Sequence, residues 1–185
     1  MAPLKNDDFG QVVMNRRTCK EFSGSEPPRE SVEWLLELAI RAPNHHLTQS
    51  CRFDICGRAG IQKWLDHLSI HLGSKELQLY LKTIERLKKV GALIYVSSVR
   101  DANPKMDKEN YAACCAAIEN ILLGATSIGL ESFWSTNRLM TLPQSLEFLK
   151  IPDTQDFVGA IWIGYGQKPD LSKRKAVSDF CHWHS

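Results

Sequence analysis

Between residues 32 and 40 the apolar positions are Val32, Leu35, Leu36, Ala39 and Ile40. They recur at i, i+3, i+4, i+7 and i+8, which is the stripe of an amphipathic helix. Pro27 and Pro28 open this segment and Pro43 closes it, because proline disfavours helical backbone in the residue before it. A shorter helix is expected over 7–16, with Phe9, Val12 and Val13 on its apolar side, and RRTCKEF follows as a tight polar link. Residues 58–72 and 74–89 also read as helices, the second with Leu77, Leu81, Ile84 and Leu87 along one face. Residues 143–149 form a further short helix with Pro143 near its start.

Four stretches have strand character: RFDICG (52–57), ALIYVSSV (92–99), SFWST (132–136) and FVGAIWIGY (157–165). DANPKM (101–106) reads as a loop. The longest helix is expected over 109–129, where Ala112, Ala113, Cys114, Cys115, Ala116 and Ala117 are small and apolar on nearly every side, with Gly129 as its C-cap. A helix apolar all round is buried all round. In a chain of 185 residues that implies packing against a second subunit as well as the chain's own core. The tail, 167–185, is basic and irregular. Helices and strands alternate without regular βαβ units, and there is no repeat or low-complexity linker. The expectation is an α+β fold with a central mixed or antiparallel sheet of about four or five strands packed by helices, in one domain spanning 1–185.

Composition narrows the function classes. The chain is 43% hydrophobic and 24% charged, ordinary for a globular protein. A net charge of +2 is too small for a general nucleic-acid or membrane binder, so any basic function is local. MAPLKNDDFG lacks the apolar run of a signal peptide, and Glu119, Asn120, Thr126 and Ser127 interrupt the apolar stretch at 112–130. Both absences point to the cytoplasm and to no membrane association. The six cysteines include no CxxC pair and read as free thiols, with Cys114 and Cys115 serving as packing residues.

Two basic clusters could carry chemistry. Arg16, Arg17, Thr18 and Lys20 put three cations and a hydroxyl within five residues, a set that suits phosphate oxygens or, equally, a solvated turn. Lys168, Ser172, Lys173, Arg174 and Lys175 follow the strongest strand, and the two clusters could meet around one phosphate or remain solvated. GYGQK lacks the third glycine and following helix of a dinucleotide fingerprint, and there is no GxxxxGK[ST] loop or GxSxG elbow. Cys19, beside Arg17 and Lys20, is a candidate for a lowered pKa but has no legible Cys–His–acid arrangement. A metal reading would use His45, His46, Cys181, His182 and His184; adjacent side chains usually diverge, and no metal site is expected.

Taken in order, these segments resemble the FMN-dependent nitroreductase family, and most closely its small bacterial members, over roughly residues 8–175. The resemblance rests on RRTCK (16–20), a Pro-led helix ending in RAPNHHLTQ (41–49), RFDI, ALIYVSSV, AACCAAIENILLGATSIGL (112–130), FWST, and FVGAIWIGY with its basic tail. It implies that Arg16, Arg17, Thr18 and Lys20 hold the phosphate, ribityl chain and pyrimidine edge of FMN, with Thr18 in place of the usual Ser. It implies that Lys173 or Arg174 completes the phosphate site. His45 and Gln49 would reach the flavin of the partner subunit, and Trp134, Ser135 and Thr136 would lie near its ring on the other side.

The implied activity is that of a homodimeric, NAD(P)H-dependent FMN oxidoreductase. Hydride passes from NADH or NADPH to flavin N5 and then to a small electron-poor acceptor such as a nitroaromatic or quinone, in ping-pong order. No protein acid or base is needed for hydride transfer. The chain departs from the family where Gln49-Ser50-Cys51 replaces the usual Gln-Pro-Trp, and where Asn137 stands at a position often held by Gly. The altered Gln49-Ser50-Cys51 leaves open a flavin-binding sensor or carrier without turnover, and basic clusters that are merely solvated leave open a non-flavin interaction protein.

Overall fold

The structure, a computed structural model, describes residues 6–170 and 173–184. Four strands form one sheet in the order β1-β2-β4-β3: β1 is Cys51–Gly57, β2 Ala92–Val99, β3 Glu131–Ser135 and β4 Gln155–Gly164. All three pairings are antiparallel, so the sheet is not mixed. Among the described residues six α-helices accompany it: α1 (Asn6–Asn15), α2 (Arg29–Ala39), α3 (Arg58–His71), α4 (Ser74–Leu87), α5 (Pro104–Ser127) and α6 (Pro143–Leu149). Short 3-10 turns lie at His45–Leu47, Arg138–Thr141 and Val177–Asp179.

The two central strands, β2 and β4, read as continuous apolar runs because both of their faces are covered. Leu93, Tyr95, Ala160 and Trp162 face α3, α4 and α6, where Trp64, Leu68 and Leu87 complete a core. Ala92, Ile94, Val96, Ile161 and Ile163 face α2 and α5, against Leu35, Cys114, Ile118 and Ile121. A register shift between Val96 and Ser97 gives β4 one extra residue, so that Gly159 pairs with Val96 and Phe157 with Ser97. Val158 therefore joins the α2/α5 core while Phe157 packs on the opposite one. Strict alternation from Ile161 would have placed these side chains the other way round.

The main departure from expectation is α5. It begins at Pro104, inside the segment read as a loop. Asn103 caps it by accepting from the Lys105 amide at 3.0 Å, Pro104 occupies the first turn and Asp107 adds an acid there. These are ordinary helix-start signals, and DANPKM displays most of them. Nor is α5 buried all round within one chain. Asn110, Cys114, Ala117, Ile118, Ile121, Leu122, Gly124 and Ala125 are buried, while Tyr111, Ala112 and Glu119 are exposed. Gly124 is where α2 comes close: a Cβ there would lie 2.6 Å from Leu38 Cδ1 and 2.8 Å from Leu35 Cδ2.

Candidate functional site

The basic segment after α1 is laid against the outer strand of the sheet. Thr18 forms a parallel bridge with Ser132 of β3, and the Cys19 amide donates to the Ser132 carbonyl at 3.0 Å. Phe22 bridges to Gly166, and the Ser23 amide donates to the Tyr165 carbonyl at 2.8 Å. A segment read as a tight link is thus extended chain continuing the sheet past β3 to the exit of β4. Gly166 permits the approach, since a Cβ there would run into the Glu21 carbonyl and lie 3.0 Å from Cys19 Sγ. Cys19 is fully buried, its thiol directed at the carbonyls of Glu21 (3.3 Å) and Gln167 (3.4 Å). Burial pushes its pKa up, the opposite of what neighbouring cations suggested, so Cys19 is a packing residue and not an activated thiol.

The cations of this segment are only loosely neutralised. Arg16 Nε lies 3.8 Å from Glu119 Oε1. Arg17 donates to the carbonyls of Met14 and Arg16, both at 2.6 Å. Lys20 Nζ sits 5.1 Å from the centroid of the Phe133 ring. Among the described residues neither Arg17 nor Lys20 has a carboxylate within ion-pair distance. Glu21 and Glu131 lie near enough to act on Cys19, and Glu21 pairs with Arg86 at 3.2 Å, so of the three cations only Arg16 has a carboxylate within ion-pair distance among the described residues. The tail leaves β4 beside it, with the Gln167 amide donating to the Glu21 carbonyl at 3.2 Å. Lys173 and Arg174 further along are exposed, and no hydrogen bond or ion pair joins them to the first cluster among the described residues. Ser172 lies outside the described residues.

RAPNHHLTQS forms a loop held by three side chains. Asn44 Oδ1 accepts from the Gln49 amide at 2.7 Å, and Asn44 Nδ2 donates to Thr48 Oγ1 at 3.0 Å. Thr48 Oγ1 donates in turn to Oδ1 of Asn110, a buried residue of α5, at 2.6 Å. The clamp stabilises left-handed backbone at three non-glycine residues: His46 (φ 54), Leu47 (φ 51) and Gln49 (φ 48). Such strain persists only where surrounding contacts over-determine it, and it concentrates at binding loops. The left-handed turn also keeps the two histidine rings together, 4.0 Å apart and edge to face, where divergence was expected. His45 Nε2 lies 3.8 Å from Glu109 Oε2 of α5. Gln49 is exposed and Arg52 donates to its carbonyl at 2.7 Å. Sequence reasoning missed Asn44 and Asn110, although Asn followed by Thr four residues later is a usable signal for a side-chain-closed turn.

At β3 the strand alternation separates neighbours. Phe133 meets Trp162 edge to face at 5.0 Å and carries Lys20 above it. Trp134 points to the opposite face, packs over Gly159 and donates from Nε1 to the Val158 carbonyl at 3.3 Å. Ser135 is buried and its Oγ accepts from the Asn137 amide at 3.3 Å, while Thr136 is exposed. Asn137, noted in the sequence only as a departure, ties the end of β3 to its surroundings. Its Oδ1 accepts from the Leu139 amide at 2.9 Å, and its Nδ2 reaches Thr83 of α4 at 3.3 Å.

Beneath the loop lies a cavity of about 500 Å³ lined by Asn44, Leu47, Gln49, Cys51, Phe53 and Ala113, among others. Within one chain the loop and the basic segment stay apart. His45 contacts α5 at Glu109 and Arg16 contacts it at Glu119, ten residues further on, about 15 Å along the helix axis.

With this geometry in hand, comparison with known proteins is decisive on one point. A model of the nitroreductase family matches residues 13–165. The chain belongs to the nitroreductase family. Among curated relatives, a Bacillus subtilis (strain 168) protein provisionally named NAD(P)H nitroreductase YfhC is 24% identical over 177 residues, covering 91% of this chain and 90% of its own length. The nitroreductase-like family protein of Bacillus cereus superposes with a TM-score of 0.88 at 24% identity, over 100% of this chain and 98% of the other. A nitroreductase from Desulfitobacterium hafniense DCB-2, solved with bound FMN, gives a TM-score of 0.72 at 18% identity, covering 98% of this chain and 100% of its own. These structural likenesses establish an α+β nitroreductase-like fold with a four-stranded antiparallel sheet packed by helices. No described helix is long and apolar enough to cross a membrane.

Proposed function

We propose that this chain is a single-domain NAD(P)H-dependent FMN oxidoreductase acting as a homodimer, with a small electron-poor molecule such as a nitroaromatic or quinone as acceptor. The observation that carries the reading is the extended 16–20 segment. It holds Arg16, Arg17, Thr18 and Lys20 on the sheet edge, and among the described residues a single carboxylate, Glu119, comes within ion-pair distance of these cations, at 3.8 Å from Arg16. A dianionic phosphate suits that unmet positive charge, and the family membership makes FMN the group that brings it. Arg16, Arg17 and Thr18 would hold the phosphate and ribityl chain, with Lys173 or Arg174 of the tail as a further cation. Lys20 would face the pyrimidine edge. When bound, FMN supplies the redox chemistry, taking hydride from the nicotinamide and passing it to the acceptor.

The chain's own residues bind and orient. Lys20, exposed and held 5.1 Å above the Phe133 ring, would stabilise negative charge that develops nearby on reduction. Trp134, immobilised over Gly159, offers a rigid apolar wall. His45 and Gln49 serve the partner's site. The separation of about 15 Å along α5 between the loop and the basic segment favours this sharing, because a twofold axis lets the loop of one chain complete the cluster of the other. On the outer face of α5, Ala112 is exposed and Ala113 and Ala116 half-buried, small positions suited to the close helix contact such a dimer needs.

The test is spectroscopic. The purified protein is saturated with FMN, and NADH or NADPH is added without oxygen. Bleaching of the flavin absorbance supports the reading; bound flavin that neither nicotinamide bleaches refutes reductase activity and favours a carrier. Reversing charge at Arg16 and Arg17 should abolish FMN retention, and unchanged retention would remove the basic segment from the site.

A further inference from the structure

Beside Asn110, which anchors Thr48, the neighbouring α5 residue Glu109 carries a carboxylate whose two oxygens differ. Oε1 lies 3.9 Å from Nζ of Lys105, one turn back on the helix. That lysine is 80% exposed, so it holds the carboxylate only weakly. Oε2 is closed off from solvent and has no hydrogen-bond partner among the described residues. His45 Nε2 faces this oxygen at 3.8 Å, beyond a hydrogen bond. An enclosed carboxylate oxygen without a donor is costly, and an approach of about 1 Å would supply one. The His45 side chain is 56% exposed and stands on the loop, so it has room to make that approach. Pro43, Asn44, His45, Glu109 and Ala112, among others, wall one open cleft of about 520 Å³, so both groups front the same space.

We propose that Glu109 is a positioning residue for His45: its Oε2 accepts the Nε2 hydrogen and leaves Nδ1 as a hydrogen-bond acceptor for FMN in the partner's site, a role that rests on the flavin reading given above. In a neutral imidazole, the bond made by one ring nitrogen decides whether the other donates or accepts. The ribityl hydroxyls and the ring N3–H of FMN are donors that suit an acceptor there. A second copy lying over the cleft removes water from the pair, which strengthens and tightens the bond.

Two successive residues of α5 thus grip the loop, Glu109 at His45 and Asn110 at Thr48, the latter bond being 2.6 Å. His46 packs edge to face on His45 at 4.0 Å but has no carboxylate within ion-pair distance among the described residues. The two adjacent histidines are therefore unequal: the carboxylate orients one of them and leaves the other as a neighbour.

The first measurement uses the full chain without flavin. At about pH 8.5, above the ordinary histidine range, nitrogen-15 shifts report which ring nitrogen carries the hydrogen. Of the six histidines, the one whose signals vanish in His45→Ala is identified as His45. Wild type should show a single Nε2–H form. Glu109→Ala should show a mixture of both forms, and Glu109→Gln, whose amide oxygen can still accept, should keep the single form. The second measurement is FMN affinity by fluorescence titration. Glu109→Ala should weaken it about 3- to 10-fold and Glu109→Gln less than about 2-fold. In a His45→Ala background Glu109→Ala should change it less than about 1.5-fold, whereas a merely structural role would cost the same in both backgrounds. A chain that binds no FMN removes the flavin reading and this role with it. FMN binding together with a tautomer mixture in wild type, full additivity with His45→Ala, or equal losses in Glu109→Gln and Glu109→Ala would overturn the role of Glu109 alone.

Discussion

Gly159→Ala isolates a single contact. Gly159 lies on β4 between β2 and β3, so its backbone is held within the sheet. A Cβ there would fall 2.5 Å from Trp134 Cδ1 and 3.1 Å from Cε2, distances that require the indole to move. Overpacking of this kind costs about 1–3 kcal/mol. Loss of the 3.3 Å bond from Trp134 Nε1 to the Val158 carbonyl adds about 1 kcal/mol. The sum, about 2–4 kcal/mol, corresponds to a fall in Tm on the order of 5–15 °C for a chain of this size.

Thermal unfolding followed by far-ultraviolet dichroism measures it, with Gly10→Ala as a control. Nothing lies within 4 Å of a Cβ at Gly10, and alanine improves the helix, so the control should be neutral or slightly stabilising. A double-mutant cycle sharpens the test. In a Trp134→Ala background the clash is gone, and Gly159→Ala should cost less than about 0.5 kcal/mol. A Tm change under about 2 °C for Gly159→Ala, or full additivity with Trp134→Ala, would refute the contact. If Trp134 is a flavin wall, Gly159→Ala also weakens FMN binding, which fluorescence titration reads separately from stability.

Three further expectations follow from the loop and from β1. Asn110→Ala removes the acceptor of Thr48 at a site 4% exposed; it should destabilise by about 1–3 kcal/mol in urea unfolding and raise proteolytic nicking at 44–49, and unaltered stability would mean the clamp is idle. His45→Ala should weaken FMN binding more than His46→Ala, as measured by equilibrium titration; the reverse order would show that the loop alignment is off by one residue. Burial raises the Asp54 carboxyl above its ordinary pKa, near 4, and no cation pairs with it among the described residues. The folded state then binds this proton more tightly than the unfolded one, so stability is lost as pH rises from the unfolded value through the folded one. Asp54→Asn should therefore raise Tm at pH 7 and flatten its decline across that window; an equal or lower Tm would count against a burial penalty there.

Much of this chain was legible from pattern alone, and the reason differs by segment. ALIYVSSV and the helix opened by Pro143 appear at the expected positions, because a buried central strand is apolar on both faces and proline marks a first turn. The order of RRTCK, RAPNHHLTQ and FWST along the chain was sufficient to suggest the family, which the match over residues 13–165 bears out. Other features depend on what meets what. The bulge that reverses Val158 and Phe157 comes from β4 pairing with β2, and no periodicity within β4 encodes its partner's register. Cys19, beside cations in the sequence, is a candidate for a lowered pKa until the sheet edge and Gln167 close over it and burial raises its pKa. Local hydrogen bonding and side-chain period act over a few residues and can be read along the chain; desolvation, register and pairing arise between segments brought together by folding, so their consequences are set in three dimensions.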